Sequence, residues 1–399
     1  MANTFKVNSL AELIAIRAAE SAAYFTVGSK KWFKNQLADK RNGQTYRFVI
    51  RDVGGAYEGL AADISSDKID LTEREVSLTI RDFRVMVRTN AIESVTDVDW
   101  DPEIAQPNGA KLANKAVKAI MDSDLGKVGA AFIGAGFAPL SRASAHLASI
   151  TNEELYGFCD PNVEAILTSN GQQFVPVNAP DMYSKGLLGK FHGAEYRAQR
   201  FFPSVTISTG SEFDGGKVTV TSYTAGTSYD TIVLGATTLT SSLKKGTPLF
   251  IEGVYATDLV GDPTSALKVF TVLEDATASS NAITVKVPHI DLAGEGTKEA
   301  SKADGSAWTA ATIAGLKVAV PEDGTYYMGI VRANGAFEFE TLDRIEAAGA
   351  KYERQNVEGL NIHQNELVDI EKMTNFTRWD MPTLAGTVEP RAVCAFYVK

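Results

Sequence analysis

Apolar and polar positions alternate in TYRFVIRD, with Tyr46, Phe48 and Ile50 set against Arg47, Val49 and Arg51, which predicts a strand with one charged face. The glycine-rich DVGGAYEGL and a polar run to Asp70 follow, so residues 44 to 71 read as a long extended hairpin or arm with little companion sequence to bury its charged side. Ahead of it, Leu10, Leu13 and Ile14 begin an apolar face, Ser9 and Glu12 stand at capping-box spacing and Gly28 marks a stop, predicting a helix over 8 to 27. In EVSLTIRDFRVMVR the apolar positions run Val76, Leu78, Ile80 and then shift to Phe83, Val85, Val87. One extra residue near Asp82 implies a bulge in a long strand. After the acidic connection TDVDWDPEIAQP, residues Ala113, Val117, Ile120, Met121, Leu125, Val128 and Phe132 recur every three or four positions. They predict one long spine helix from about Asn108, which Gly126 and Gly129 weaken in isolation.

Residues 135 to 205 are mixed. They contain a Gly/Pro/Ser-rich turn, a helix start at Thr151, and FCDPNVEAILTSNG, which reads as a short strand, a proline in the first helical turn, a helix and a glycine stop. At Phe202-Pro203 the composition changes. From Val205 to Ile290 the short runs KVTVTS, TIVLGA, TPLFIEGVYA, ALKVFTVLE and AITVKVP are strands separated by turn residues, the pattern of a small barrel or sandwich. Within it, Lys244 to Gly246 is a turn and Leu249 to Tyr255 a strand. Leu249, Ile251 and Gly253 share one side, while Phe250 and Val254 need a second apolar surface. The tract 291 to 308 is an exposed linker, after which TYYMGIVRANG, FEFETLDRIE, GLNIHQNELVDIEKM and RAVCAFYVK return to the mixed style. The economical reading is an α+β fold, with residues 1 to about 204 and about 309 to 399 folding together around an inserted β-domain.

A hydrophobic fraction of 44% over 399 residues is enough for a real core. The net charge of −10 argues against affinity gained by gripping phosphates. No stretch approaches the ~20 apolar residues of a membrane span, and MANTFKVNSLAEL lacks the order of a signal peptide, so the chain reads as soluble and made in a cytoplasm. Cys159 and Cys394 are too few for a four-cysteine metal site and read as buried small residues.

Motifs for chemistry fail one by one. GKVGAAFIGAGFAP reads as a helix end and turn, with Pro139 at the third small-residue position of a dinucleotide fingerprint. DGGKV lacks the first glycine and the hydroxyl of a phosphate loop, since Ser211 and Val218 stand there. Asp97, Asp99 and Asp101 alternate like a calcium loop, but Pro102 and Asn108 occupy the positions of the turn glycine and the bidentate glutamate. His146, His192, His289 and His363 are scattered and read as surface or hydrogen-bonded histidines. Glu338, Glu340 and Asp343 could pair in space, but such clusters are mostly solvated faces, which is the reading taken. Neither catalytic residues nor metal or cofactor ligands are expected.

The order of these elements resembles the major capsid (coat) proteins of tailed bacteriophages, of the short-tailed-phage type with an inserted β-barrel. The segments that carry the resemblance are EREVSLTI and LKKGTPLFIEGVYA followed by VFTVLEDATA. It implies the tailed-phage capsid fold: an N-terminal arm at 1–43, an extended loop at 44–74 and a peripheral domain with long strand and spine helix at 75–134. An axial domain would begin at 135–204, the β-barrel would occupy 205–308, and 309–399 would close the axial and peripheral domains. It further implies a non-enzymatic subunit of the virion, assembled in the host bacterial cytoplasm. Hexamers and pentamers would form a precursor shell with scaffolding protein and portal, then expand around double-stranded DNA that is enclosed without tight binding. A decoration protein is a partner the resemblance allows, and a membrane is not. Arg47, Arg51, Arg74 and Glu75 are the candidate contacts to adjacent subunits. The rival expectations are a tail, decoration or surface-layer subunit, and a carbohydrate-active protein with a β accessory module, which requires a pocket of converging carboxylates and aromatics.

Overall fold

The computed structural model describes residues 4–21, 24, 45–51, 73–90, 104–171, 187–191, 193–292, 297–342, 351–357, 359–369 and 374–399. The chain begins with α1 (Thr4–Ser21), β1 (Thr45–Arg51), β2 (Glu73–Thr79), β3 (Arg81–Asn90) and α2 (Gln106–Asp124). A mixed stretch follows: β4 (Ala130–Gly134), α3 (Ala138–Ile150), β5 (Leu155–Cys159), α4 (Pro161–Gly171), β6 (Leu187–Phe191), β7 (Ala194–Ala198) and β8 (Ser204–Ile207). Short strands come next: β9 (Thr219–Thr224), β10 (Tyr229–Gly235), β11 (Ser242–Leu243), β12 (Pro248–Thr257), β13 (Pro263–Thr271), β14 (Ala276–Thr277), β15 (Ala282–Pro288) and β16 (Ala300–Ser301). The last elements are α5 (Ala310–Ile313), β17 (Val318–Ala319), β18 (Gly324–Ala333), β19 (Phe337–Thr341), β20 (Lys351–Val357), β21 (Leu360–Asp369), β22 (Thr374–Thr387) and β23 (Val393–Val398). The fold is α+β. It divides into two compact units, one of Met1–Arg47, Ser77–Ser123 and Phe337–Gly386, the other of Phe48–Val76, Asp124–Ala336 and Thr387–Lys399.

The first unit is built on the antiparallel ladders β3–β22–β21–β20. Its core takes Phe83, Trp379, Met381 and Ile362, while α2 buries Leu112, Ala113, Ala116, Val117, Ile120 and Met121 on the face the three-and-four spacing predicts. Helix α1 starts at Thr4, so Ser9 and Glu12 lie inside it and do not cap it. Its buried stripe is Ala11, Ile14, Ala15 and Ala18, small enough for Gly109 of α2 to approach closely, where a Cβ would lie 2.8 Å from the Ile14 carbonyl oxygen. The expected change of side along the long strand is a break at Ile80, between β2 and β3.

The spine helix is shorter than its periodicity suggests. It ends at Asp124, and Phe132 belongs to strand β4. Gly126 sits where the chain turns against Pro288, and a Cβ there would overlap the proline ring, so the turn tolerates no side chain. Gly126→Ala is expected to lower stability by about 1–3 kcal/mol through overpacking, read as a fall in the denaturation midpoint.

In the second unit one sheet runs β16–β12–β13–β4–β23–β18–β5–β7–β6, with β8 added to β18 and β17 to β12. Pairs β4/β23 and β5/β7 are parallel, while β18/β23, β18/β5, β12/β13 and β6/β7 are antiparallel. All six residues of β23 are buried, which fits a central strand covered on both faces. Residues 138–150 form α3, with a proline in its first turn. Thr151, where the sequence predicts a helix start, instead terminates α3 by donating its N–H to the Leu147 carbonyl at 2.9 Å. Pro161 opens α4, and the Asp160 side chain accepts from the Asn162 N–H at 2.7 Å.

The β-rich segment gathers one core from Phe213 to Val318, including Val220, Ile232, Leu249, Phe270 and Val285. The tract 291 to 308, expected to be an exposed linker, joins this core through Leu292, Ala300 and Trp308, and its residues Ala300–Ser301 pair with β12 as strand β16. Even Ile313, beyond that tract, is part of the core. The segment's strands form separate ladders, β15–β10–β9, β11–β14 and β16/β17–β12–β13. Backbone hydrogen bonds join them: around the Thr219↔Lys317 bridge, Val220 N–H donates to the Leu316 carbonyl and Val318 N–H to the Val218 carbonyl, both at 2.9 Å, and Leu273 N–H donates to the Lys286 carbonyl at 2.9 Å. Strand β13 also passes its pairing on to β4 at Lys268↔Ala130, so the segment is hydrogen-bonded into the main sheet. Along β12, Leu249 and Ile251 point inward, and a register shift at Gly253, held at φ +80, brings Val254 to the same core. Val254 therefore needs no second surface.

Candidate functional site

The four sequence-predicted contact residues lie on one ribbon. Arg47 and Arg51 are on β1, Arg74 and Glu75 on β2, and the two strands pair as a two-stranded sheet joined to no other among the described residues. Their side-chain surroundings lie outside the described residues, as does the stretch 52–72 between the strands.

Titratable groups elsewhere find partners within the fold. His146 on α3 packs near the Phe132 ring at 5.5 Å, and burial pushes its imidazole down to about 4. His289 Nδ1 lies 2.8 Å from Asp230 Oδ1, and this fully buried carboxylate also accepts from Tyr223 Oη and from the N–H groups of Gly226 and Ile290. His363 Nδ1 meets Tyr352 Oη at 2.5 Å and its Nε2 lies 3.0 Å from the Leu342 carbonyl. Burial raises the thiols of Cys159 and Cys394, Cys394 to about 12, which makes them inert. Among the described residues no group of His, Cys, Asp and Glu could hold a metal ion, and no helix is long and apolar enough to cross a membrane. The expected solvated face on β19 is not one, because Glu338 is fully buried and Glu340 half-buried. His192, Asp343 and the Asp97–Asp101 run lie outside the described residues.

The glycine cluster differs from its expected helix end and turn. GAAFIGAGFAP is a strand–turn–helix, β4 into α3, because α2 stops at Asp124, well short of Phe132, and leaves Ala130–Gly134 free to join the sheet. The topology still excludes a dinucleotide crevice. Such a site needs two adjacent parallel strands joined by the helix, whereas β4 and β5 are separated by β23 and β18.

A cavity of about 540 Å³ opens beside β12. Phe213, Phe250, Tyr255, Leu267 and Val318 line it, and Glu252 and Lys317 stand 3.8 Å apart at its wall. Phe250 thus meets a cavity and not a second core. Among the described residues Glu252 is the single carboxylate lining the cavity, where a glycoside-cleaving site uses a pair.

No family model matches the sequence, and no curated protein matches it. Among solved structures it is similar to one from Mycobacterium phage Che8, at 9% identity over 93% of this chain and 89% of that one, with a TM-score of 0.43. The capsid of Ralstonia phage GP4 superposes at 8% identity over 90% and 84%, with a TM-score of 0.44. A virus-like particle from Pyrococcus furiosus does so at 9% identity over 96% and 98%, with a TM-score of 0.39.

Proposed function

We propose that this chain is a structural subunit of the tailed-phage major capsid type, which associates with copies of itself into a closed shell around double-stranded DNA. The observation that carries the reading is the β1–β2 ribbon, a two-stranded sheet joined to no other among the described residues. Such a ribbon is marginal in water, so its stability comes from a surface outside its own sheet. In a shell that surface is a neighbouring subunit, with Arg47, Arg51, Arg74 and Glu75 as its contacts. The sequence resemblance supports the same role, and the acidic balance of the chain suits a container that must not adsorb its cargo. Hexamers and pentamers, a scaffolded precursor, expansion and an autonomous β-barrel belong to this proposal.

The test is expression of the chain with and without a scaffolding partner, followed by negative-stain microscopy. Closed shells in either condition are expected. Monomers or small cyclic oligomers in both would sink the reading, and tubes or flat sheets would favour a tail or surface-layer subunit.

A further inference from the structure

The sheet of the first unit has one face against its core, and the opposite face is partly exposed. Register sets Arg84, Met86 and Arg88 of β3 opposite Asp380, Arg378 and Phe376 of β22, and these in turn opposite His363, Asn365 and Leu367 of β21. Arg354 of β20 lies opposite His363. Directly opposed residues share a face, so this is one continuous surface. Asp380 and His363 are buried at one end of it and Thr374 at the other. Between these ends, Met86 and Leu367, at 64% and 54% exposure, are the most exposed large hydrophobic residues among those described, and Phe376 lies between their strands. Arg378 is held by Asp380 at 2.7 Å and lies 3.9 Å from Asp82, which is exposed on the same face; Arg84 is exposed, Arg88 stands over the Phe376 ring at 5.6 Å, and Arg354 donates to Asn361 Oδ1 at 3.3 Å. An exposed apolar patch beside four arginines and the single exposed carboxylate of Asp82 among the described residues of this face stands out on a chain of net charge −10.

We propose that this face docks a second copy of the chain, and that it receives the tip of that copy's β12–β13 hairpin. The tip has the complementary chemistry. Val260 is 45% exposed there, between Asp258 and Asp262. Asp258 Oδ1 accepts from the N–H groups of Val260, Gly261 and Asp262 at 2.9, 2.8 and 2.9 Å, so the tip is rigid before it binds. The apolar contact of Val260 with Met86 and Leu367 supplies affinity, and Asp262 against Arg84 and Arg88 selects the partner. The face and the hairpin tip are different surfaces of the chain, so the contact is heterologous, the kind that forms rings where its rotation closes. The inference rests on the self-association proposed above.

Disulfide trapping tests it. A Met86→Cys chain is mixed with a Val260→Cys chain and oxidised; native Cys159 and Cys394 are buried and stay silent. The cross-linked pair is expected in about tenfold excess over a control mixture of Met86→Cys with Tyr229→Cys, whose tyrosine is also exposed. Arg88→Asp should abolish the excess, and adding Asp262→Arg on the partner chain should restore it, which separates a lost contact from a lost fold. Wild-type shells without the excess cross-link overturn this inference and leave the shell reading standing. Absence of any association overturns both.

Discussion

Replacing Lys268 by methionine is expected to cost about 3–5 kcal/mol, because it leaves a buried carboxylate without its cation. Lys268 Nζ lies 3.0 Å from Glu299 Oε2 and donates to the Val128 carbonyl at 3.0 Å, with the two side chains only 2% and 10% exposed. The lysine stands on β13 where the β-rich segment pairs with β4, so the same ammonium fastens that segment to the turn after α2. The double variant Lys268→Met/Glu299→Leu should recover most of the loss, since removing both charges removes the desolvation they impose. Denaturant titrations of the three proteins decide the matter. An equal loss in single and double variants would falsify the ion pair as the cause.

Much of the architecture is legible in the sequence because local pattern and burial agree. The five runs of the threonine-rich segment are strands β9, β10, β12, β13 and β15, and FCDPNVEAILTSNG is β5 followed by α4. Misreadings occur where tertiary contact overrides period. Val128 and Phe132 continue a helical spacing, yet Pro288 closes on Gly126 and the chain turns into a sheet. Strand β22 gives no clear signal because Pro382 interrupts it. That proline is tolerated because the β21 ladder has ended at His363↔Asp380, and beyond it the Pro382 carbonyl accepts from the Leu342 N–H at 2.9 Å while the Leu342 carbonyl faces His363 Nε2 at 3.0 Å in place of the missing N–H. The docking face is hidden for another reason. Met86 follows Val85 in an alternating strand, and only the register of β22 and β21 brings it into one patch with Leu367.

The candidate contacts on β1 and β2 come from charge on an alternating strand, a signal that names a face and no partner. That the ribbon joins no other sheet among the described residues is a property of topology, which no single segment encodes. The assembly reading therefore gains its physical basis from pairing, while the sequence supplies the residues to test.

Stability is expected to fall as pH drops through the window from 6.5 to about 4, with His146 as a principal cause. Burial holds this imidazole neutral, so in that window the unfolded chain binds a proton that the folded chain does not. Stability consequently rises with pH there, is complete above 6.5, and is lost by an amount on the order of 3 kcal/mol once the folded form also titrates near 4. The structural consequence is local to the second unit, where α3 carries His146 against Phe132 of β4. His146→Leu removes the titration and keeps an apolar side chain in the site. Its denaturation free energy, measured at several pH values between 4 and 7, should show a slope reduced by up to one proton relative to wild type. An unchanged slope would mean that the imidazole is solvated in the folded chain.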